Sequence, residues 1–350
     1  MIANVPPLLL SRRALLAASL AGTNRFRAAE TILERAVASG QLHAAVLRVE
    51  HRGEVFERAY GKARPESPFL IASITKPMTA TALMILADRG QLRYEDPASL
   101  YLPNFTSEER GRITIRHLLT HTSGLPDMLP DNIAMRQRRA PLADFVQGAL
   151  TTPLLFVPGT KTSYQSMGIL LAAEIAQRVT NKSLRDFLRA EVFRPLGMNR
   201  TALGLGSYKL PDVVPIQVEH ADPPGGTPAT ESWDWNSPWW RDFGAPWGGA
   251  HSTAADITKL LRAFLHPTGT PVRKETALRM ITNQNQGLDK PYGIGWSVTP
   301  TPFGHGGSTG TSCWADPAKD ATFVLLTSLP AKASQKPIID PVSKAVRAAV

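Results

Sequence analysis

Ser73 and Lys76 have the residue types and the spacing of an activated nucleophile. They lie in the stretch Phe69-Leu-Ile-Ala-Ser73-Ile-Thr-Lys76-Pro77. If the chain after Ser73 is helical, positions i and i+3 share one face, and the amine of Lys76 lies beside the serine oxygen. A desolvated lysine loses its proton near neutral pH and can activate a serine hydroxyl. The spacing predicts nucleophilic catalysis, although a serine helix cap beside a solvated lysine gives the same pattern.

A strongly helix-forming run follows the lysine. It extends over residues 78–89 and ends at Gly90, a residue type suited to the position just after a helix. Pro77 suits the first turn. Ser73 is therefore expected at a helix N-terminus, where backbone N–H groups converge on developing negative charge.

The order of predicted elements places strands near both ends of the chain. A predicted helix covers residues 24–39, and the other segments are strands at 43–50, 54–60, 293–299, 311–314 and 321–327, helices at 142–150, 167–179, 184–192 and 254–264, and a final helix at 338–349. Strands at both ends predict one antiparallel sheet that is completed late in the sequence. We expect one catalytic domain at residues 23–350, with an α/β lobe at about 23–80 and 285–350 and a mainly helical lobe at about 81–284.

The bulk composition of the 350-residue chain excludes several functions. The formal charge of +10 is spread over scattered lysines and arginines, which argues against a nucleic-acid-binding protein. Cys313 is the single cysteine, so no intramolecular disulfide can form, and we expect it to be a buried strand residue. The eight histidines show no metal-ligand spacing. We predict an enzyme without metal or organic cofactor that acts on a small molecule; the sequence leaves its oligomeric state open.

Residues 1–22 have the pattern of an export signal. Ser11-Arg12-Arg13 precedes a short apolar run of small residues, and the segment is similar to a twin-arginine signal. The run is too short to span a membrane. This pattern predicts a periplasmic or secreted protein. An ordinary N-terminal helix, left uncleaved in a cytoplasmic protein, is the alternative.

Three further segments could contribute to a site. Tyr164 lies in a turn before a predicted helix, where its phenol could enter a cleft and a neighbouring ammonium would lower its pKa; a packed aromatic is the alternative. The glycine-rich stretch at 304–310 allows close approach of backbone to a ligand. The segment at 206–249 holds five of the seven tryptophans, which either line a substrate pocket or pack against the body of the protein: Trp233, Trp235, Trp239, Trp240 and Trp247.

Several motifs occur together and in a fixed order. They are Ser73-Ile-Thr-Lys76, the stretch from Ile113 to Leu125 with His121 and Gly124, Tyr164-Gln-Ser166, Pro195-Leu-Gly-Met198-Asn-Arg-Thr201, the stretch from Gly248 to Asp256, and His305-Gly-Gly307. With them the chain resembles the serine β-lactamase and penicillin-binding-protein superfamily, on the branch that holds class C β-lactamases, D-alanyl-D-alanine carboxypeptidases and family VIII esterases. The resemblance covers nearly all of residues 24–350.

This resemblance implies a fold and a set of roles. The fold is of the α/β (α+β) class, β-lactamase/transpeptidase-like, with an antiparallel sheet flanked by helices, an inserted mainly helical lobe, and a cleft between the lobes. Ser73 would be the nucleophile, Lys76 its proton partner and Tyr164 the base that relays protons. The backbone N–H groups of Ser73 and Ser308 would form the oxyanion hole.

Two departures from the family's motifs bear on the substrate. Ser166 stands where the family usually has asparagine, and His305 with Gly307 replaces the usual Lys-Thr-Gly, so a permanent cation becomes a titratable imidazole and a hydroxyl is lost. Both changes weaken recognition of β-lactams and peptide carboxylates and remain compatible with small esters. Trp247, in Trp-Gly-Gly, resembles a tryptophan motif of the esterases and is placed in the pocket.

The remaining motif residues are interpreted as structural. We expect His121 and Gly124 to shape a loop at the cleft rim and Asp256 to cap the helix that follows it. We therefore predict a carboxylesterase that acts on small esters through an acyl-enzyme on Ser73. The alternatives are a β-lactamase or D-amino-acid peptidase, and a non-catalytic relative that binds peptidoglycan or a partner protein.

Overall fold

Strands from the early and late parts of the sequence pair in one six-stranded antiparallel sheet. The computed structural model describes residues 25–226, 230, 232–299 and 302–350, so the predicted export segment lies outside the described residues. The strands follow the order β2-β1-β9-β8-β7-β6, and β3-β5-β4 form a small second sheet. Their bounds are β1 Ala44–His51, β2 Glu54–Gly61, β3 Phe69–Leu70, β4 Ala202–Leu203, β5 Ala250–Ser252, β6 Ser297–Val298, β7 Phe303–Gly307, β8 Thr311–Asp316 and β9 Ala321–Thr327.

Helices surround this sheet and fill the middle of the sequence. They are α1 Arg27–Ala38, α2 Thr75–Asp88, α3 Glu108–Gly111, α4 Ile115–Leu119, α5 Asn132–Gln137, α6 Leu142–Thr151, α7 Met167–Thr180, α8 Leu184–Leu188, α9 Pro238–Phe243, α10 Ala254–Leu265, α11 Lys274–Met280, α12 Ala331–Ser334 and α13 Asp340–Ala349. Short π-helical turns at Arg189–Phe193 and Gln335–Ile339 continue α8 and precede α13.

The two faces of the sheet bury alternate residues of the same strands. On β9, Phe323 and Leu325 pack under the terminal helices α1 and α13, whereas Val324 and Leu326 join the larger core on the other face. This alternation follows from the period of two in a strand. Strand β9 is buried at every position because helices cover both faces. The predicted antiparallel sheet with flanking helices is therefore confirmed.

Most predicted elements are present with bounds shifted by no more than three residues, if the π-helical turn that continues α8 is counted with it. Two expectations need correction. Residues 293–299 form a strand only at Ser297–Val298, because Gly293 and Gly295 take a tight path against neighbouring segments. Helix α10, assigned by the sequence to the helical lobe, contacts β1, β8 and β9 and so covers the sheet. Its amphipathic pattern suits a sheet face as well as a helix bundle, so sequence could not separate the two.

Candidate active site

Ser73 lies in a short 3₁₀ turn, Ala72–Ile74, that leads directly into α2. Ala72 has a φ of 45°, an uncommon value for a residue with a side chain. Such strain persists only where the surroundings hold the backbone in place. The serine is partly exposed and does not cap the helix: its side chain makes no capping hydrogen bond to the turn, and Ile74 occupies the N-cap of α2.

Hydrogen bonds from several segments hold this turn. Thr309 Oγ1 donates to the carbonyl of Leu70 at 2.7 Å, and Thr311 Oγ1 donates to the carbonyl of Ile71 at 2.9 Å. On the other side, the N–H of Ile71 donates to the carbonyl of Ala250 at 2.9 Å. Strands late in the sequence thereby fix the position of the Ser73 backbone.

Lys76 lies one turn further along and faces the serine, as its spacing predicted. Its Nζ atom lies 3.1 Å from Ser73 Oγ and donates to the carbonyl of Trp247 at 3.0 Å. The side chain is fully buried. Burial lowers the pKa of Lys76 to about 7, and the carboxylate of Asp127 opposes that shift. Near neutral pH a substantial fraction of the amine is therefore unprotonated, with a lone pair available to the serine.

Tyr164 completes the group around Ser73. The Lys76 Nζ atom lies 4.6 Å from the centre of the tyrosine ring, and the phenol hydroxyl interacts with Ser73. The pKa of Tyr164 is raised, because the hydroxyl is desolvated and Asp127 adds to the rise, while the contact with Ser73 opposes it. The expectation that an ammonium would lower this pKa was wrong. The residue is partly accessible, with 41% of its surface exposed.

A pair of interlocked loops positions Tyr164. The N–H of Ser163 donates to the carbonyl of His121 at 2.8 Å, and the N–H of Gln165 donates to His121 Nδ1 at 3.2 Å. The side chain of Gln165 accepts from Ser123 Oγ and donates to the carbonyl of His117. Both neighbours of the tyrosine are thus bonded to the His121 loop.

His121 holds the loop that carries Tyr164, and it lies in the core instead of at an exposed rim. It is 1% exposed and packs between Tyr164 and Tyr292, with ring centroids 4.6 and 4.4 Å away. Burial drives its pKa well below the ordinary value, and the positive charge of Lys76 acts in the same direction. A neutral imidazole thus supports the tyrosine ring. Gly124 follows with a φ of 83° and leaves no room for a side chain beside the carbonyl of Phe156.

His305 packs near the rings of Tyr164 and Tyr292 and does not line the cavity at Ser73. Its Nδ1 donates to the carbonyl of Gly306 at 2.7 Å, so its Nε2 accepts from the Tyr292 hydroxyl at 2.9 Å. Burial lowers the pKa of His305 to about 3, with Lys76 contributing. The imidazole is therefore neutral at physiological pH and is no titratable substitute for a lysine there, which corrects the sequence interpretation.

Gly307 is a packing position beside the nucleophile turn. A Cβ atom at this residue would lie 2.5 Å from the carbonyl oxygen of Ile71 and 2.2 Å from Thr311 Oγ1. Close approach of strand β7 to the turn therefore requires glycine. The next residue, Ser308, is exposed and lines the same cavity as Ser73. The oxyanion role of its N–H stays a prediction.

A cavity of about 350 Å³ opens at Ser73. Of the predicted substrate-binding residues, Ser166, Trp247 and Ser308 line it, together with the catalytic candidate Tyr164; His305 and Gly307 do not. The tryptophans divide between the two expected roles. Trp235, Trp240 and Trp247 line the cavity, Trp233 is buried, and Trp239 packs partly buried against the core.

Asp127 is a cavity residue that sequence reasoning missed. Its Oδ1 accepts from Ser166 Oγ at 2.6 Å, and its charge acts on both Lys76 and Tyr164. It lies two residues after Leu125, the end of a motif, and this proximity was the available signal. The carboxylate places a negative charge near the amine that would serve as base.

Two other residues were expected to have structural positions, and the structure corrects one of them and confirms the other. Thr253 caps helix α10, while Asp256 accepts from the N–H of Arg200 and from Thr201 Oγ1, so its expected role as helix cap was wrong. Cys313 is buried in β8, as predicted.

Within residues 25–226, 230, 232–299 and 302–350, no cluster of histidine, cysteine or acidic residues could hold a metal ion. No helix in the same ranges is long and apolar enough to cross a membrane.

A partly exposed serine and a phenol line one cavity, and a buried amine with a pKa near neutrality lies 3.1 Å from the serine oxygen. A nucleophile with an adjacent base can transfer acyl groups, and this combination defines the class of serine hydrolases. Residues 29–343 match the Beta-lactamase family. The chain therefore belongs to that family, whose members are serine hydrolases.

Individual relatives agree with this assignment. Penicillin-binding protein 4* of Bacillus subtilis (strain 168) is 32% identical over 196 residues, which cover 51% of this chain and 42% of that protein. The chain spans less than half the length of the curated relatives it matches.

Solved structures share the fold at low sequence identity. EstCE1, a hydrolase with promiscuous acyltransferase activity, has a TM-score of 0.77 and 19% identity over 93% of this chain and 99% of that one. The D-amino acid amidase of Ochrobactrum anthropi SV3, complexed with D-phenylalanine, has a TM-score of 0.75 and 22% identity over 93% and 99%. The predicted β-lactamase/transpeptidase-like fold is thereby confirmed.

Proposed function

We propose that this protein is a carboxylesterase that hydrolyses small esters through an acyl-enzyme on Ser73. The observation that carries the proposal is the fully buried Lys76, whose Nζ lies 3.1 Å from Ser73 Oγ and whose pKa is lowered to about 7 by burial. A neutral amine at this distance is a general base for the hydroxyl. It also keeps an N–H for the carbonyl of Trp247.

The proposed reaction has two halves. The Ser73 hydroxyl proton passes to Lys76 while the oxygen attacks the ester carbonyl, and the backbone N–H groups of Ser73 and Ser308 receive the oxyanion. The phenol of Tyr164 protonates the departing alcohol and regains a proton from Lys76. Water then repeats the same steps on the acyl-enzyme and releases the acid. The raised pKa of Tyr164 favours a neutral phenol, so we assign the first proton transfer to Lys76.

The substrate assignment depends on the two positions that depart from the motifs of the superfamily. Ser166 bonds to Asp127, and His305 is neutral and lies outside the cavity lining. Neither residue supplies the amide or the permanent cation that the superfamily uses for β-lactams. Esters need neither group, and the similarity to EstCE1 supports the same choice.

Hydrolysis of D-amino-acid amides or peptides is the second candidate. Asp127 places a carboxylate in the cavity, which would attract a substrate ammonium, and the fold is shared with a D-amino acid amidase. This candidate uses the same Ser73 chemistry and differs only in substrate.

Paired assays test the proposal. We expect turnover of short-chain p-nitrophenyl esters, labelling by a fluorophosphonate, and loss of both in Ser73→Ala; Ser39→Ala, an exposed serine at the end of α1, should retain both. A chromogenic cephalosporin and D-alanyl peptides serve as competing substrates. Preferential turnover of either would replace the esterase assignment. Ligand binding without turnover of any of the three would indicate a non-catalytic relative.

A further inference from the structure

Arg136 is a buried cation in the wall of the cavity that opens at Ser73. It belongs to helix α5, and only 2% of its surface is exposed, yet it lines the cavity together with Trp235 and Trp240. Arginine is among the residues least often fully buried without a partner. Its position therefore calls for an explanation that packing alone does not give.

The described surroundings leave the charge of Arg136 uncompensated. Its guanidinium carbon lies 3.6 Å from the centre of the Trp240 ring, and Nη1 donates to the carbonyl of Pro224 at 3.2 Å. Its Nε has no partner, and no described carboxylate forms an ion pair with it or acts on its pKa. Burial lowers its pKa to about 9. An uncompensated buried cation is costly, and an anion that enters the cavity would offset that cost.

The second buried arginine of this region shows what a structural role looks like. Arg241 is also 2% exposed, but it donates to Asn236 Oδ1 at 2.8 Å and to the carbonyl of Val214 at 3.1 Å, and the charge of Asp234 acts on it. It does not line the cavity. Arg241 donates its hydrogen bonds to groups within the protein, whereas Arg136 has an Nε–H without a partner at the cavity wall.

The other described charges of the cavity do not neutralise Arg136. Lys332 is paired with Asp222, and Asp127 is bonded to Ser166 and acts on Lys76 and Tyr164. The described negative charges therefore have partners of their own. The Arg136 guanidinium keeps an Nε–H without a partner. A planar guanidinium binds a carboxylate in a bidentate geometry.

We propose that Arg136 binds a carboxylate of the substrate, so that the preferred ester carries an acidic group beyond the scissile bond. This inference rests on the proposed esterase function and names its substrate class. The acid belongs either to the acyl part, as in a monoester of a dicarboxylic acid, or to the alcohol part. Trp240 holds the guanidinium plane in place for that contact.

Matched ester pairs test the proposal. The acyl pair is p-nitrophenyl hemiglutarate and p-nitrophenyl valerate, and the alcohol pair is p-carboxyphenyl butyrate and its methyl carboxylate ester. We expect the wild type to favour the acidic member of one pair in kcat/KM. Arg136→Gln should lower that acidic-to-neutral ratio by roughly tenfold or more, since a charged hydrogen bond is lost, and Arg136→Lys should retain part of the preference. A ratio within one variant is independent of how much protein is folded.

Lys182→Gln is the control for net charge, because it removes an exposed lysine that lies outside the cavity lining. It should leave the ratio close to the wild-type value. An equal loss in Lys182→Gln and Arg136→Gln, an unchanged ratio in Arg136→Gln, or a wild type that turns over neutral esters without preference in either pair would each overturn the assignment.

A binding measurement separates this inference from the proposed function. Calorimetry with monoethyl glutarate and diethyl glutarate on Ser73→Ala protein needs no turnover. Preferential binding of the monoester that disappears in Ser73→Ala/Arg136→Gln supports the carboxylate site even if ester hydrolysis fails. Equal binding of both ligands overturns the carboxylate site even if ester hydrolysis succeeds.

Discussion

At the scale of single residues, the site depends on a lysine that is buried beside a serine. Desolvation of Lys76 lowers its pKa to about 7, while the buried His305 has a pKa of about 3 and the pKa of Tyr164 is raised. Among these three groups, Lys76 alone changes protonation between about pH 6 and 8. A single group therefore governs the pH dependence expected for attack by Ser73.

The first prediction concerns that pH profile. A depressed lysine pKa means that the amine is neutral above about pH 7 and protonated below it, and only the neutral form accepts the serine proton. The value of kcat/KM for a neutral p-nitrophenyl ester should fall about tenfold from pH 8 to pH 6. Initial rates at low substrate concentration, corrected for spontaneous hydrolysis, measure this. A flat profile would contradict Lys76 as the base.

The sequence predicted the site residues that are close together along the chain. It missed those that reach the site only through packing of segments distant in sequence. Ser73 and Lys76 are one helical turn apart, so their juxtaposition follows from spacing alone. Asp127 and Arg136 reach the cavity because residues far apart in sequence pack around it. No spacing within their own segments indicates that outcome.

At the scale of elements, strands β7 and β8 and the nucleophile turn fix each other. Thr311 bonds to Ile71, and Gly307 lies against Ile71 and Ala72. A similar close contact, between Gly295 and helix α2, explains why most of the strand predicted at 293–299 is absent. Gly295 has a φ of 75°, and a Cβ there would lie 2.4 Å from Ala80 Cβ, so this apolar segment follows the surface of α2 instead of extending as a strand. The run of apolar and β-branched residues at Ala321–Thr327 predicted that strand correctly, and the strand contains no glycine.

A pair of neighbouring glycines provides the second prediction. Gly307→Ala places a methyl group within 2.5 Å of the Ile71 carbonyl, whereas Gly306→Ala meets its nearest atom, the carbonyl oxygen of Thr311, at 3.9 Å. We expect Gly307→Ala to lower stability by about 1–3 kcal/mol, as overpacking does, and to reduce ester turnover through displacement of Ser73. Gly306→Ala should change stability little.

Urea denaturation and kcat for both variants check this prediction. Equal stability and equal turnover in the two variants would show that the contact between β7 and the nucleophile turn is not restrictive.

At the scale of the whole molecule, one apolar core connects the sheet to the helical segments. Val46 and Val324 of the sheet belong to the same buried cluster as Phe145 of α6 and Leu170 of α7. Helix α2, which carries Lys76, is buried along nearly its whole length within that cluster. The predicted lobes therefore share the core in which the catalytic helix lies, and neither has a separate core on this face.

Because the sheet and the helical segments share one core, we expect them to unfold together. Phe145 is fully buried and packs against Phe243 and Trp247, with ring centroids 5.3 and 6.1 Å away. Phe145→Ala should lower the free energy of unfolding by about 3–5 kcal/mol. Tryptophan fluorescence and far-UV circular dichroism should shift to the same lower midpoint in a single transition. Leu278→Ala, a truncation at a residue that is 52% exposed, should change stability by no more than about 0.5 kcal/mol. Separate midpoints for the two signals in Phe145→Ala would mean that the helical side unfolds without the sheet, and that the catalytic helix rests on two independent cores.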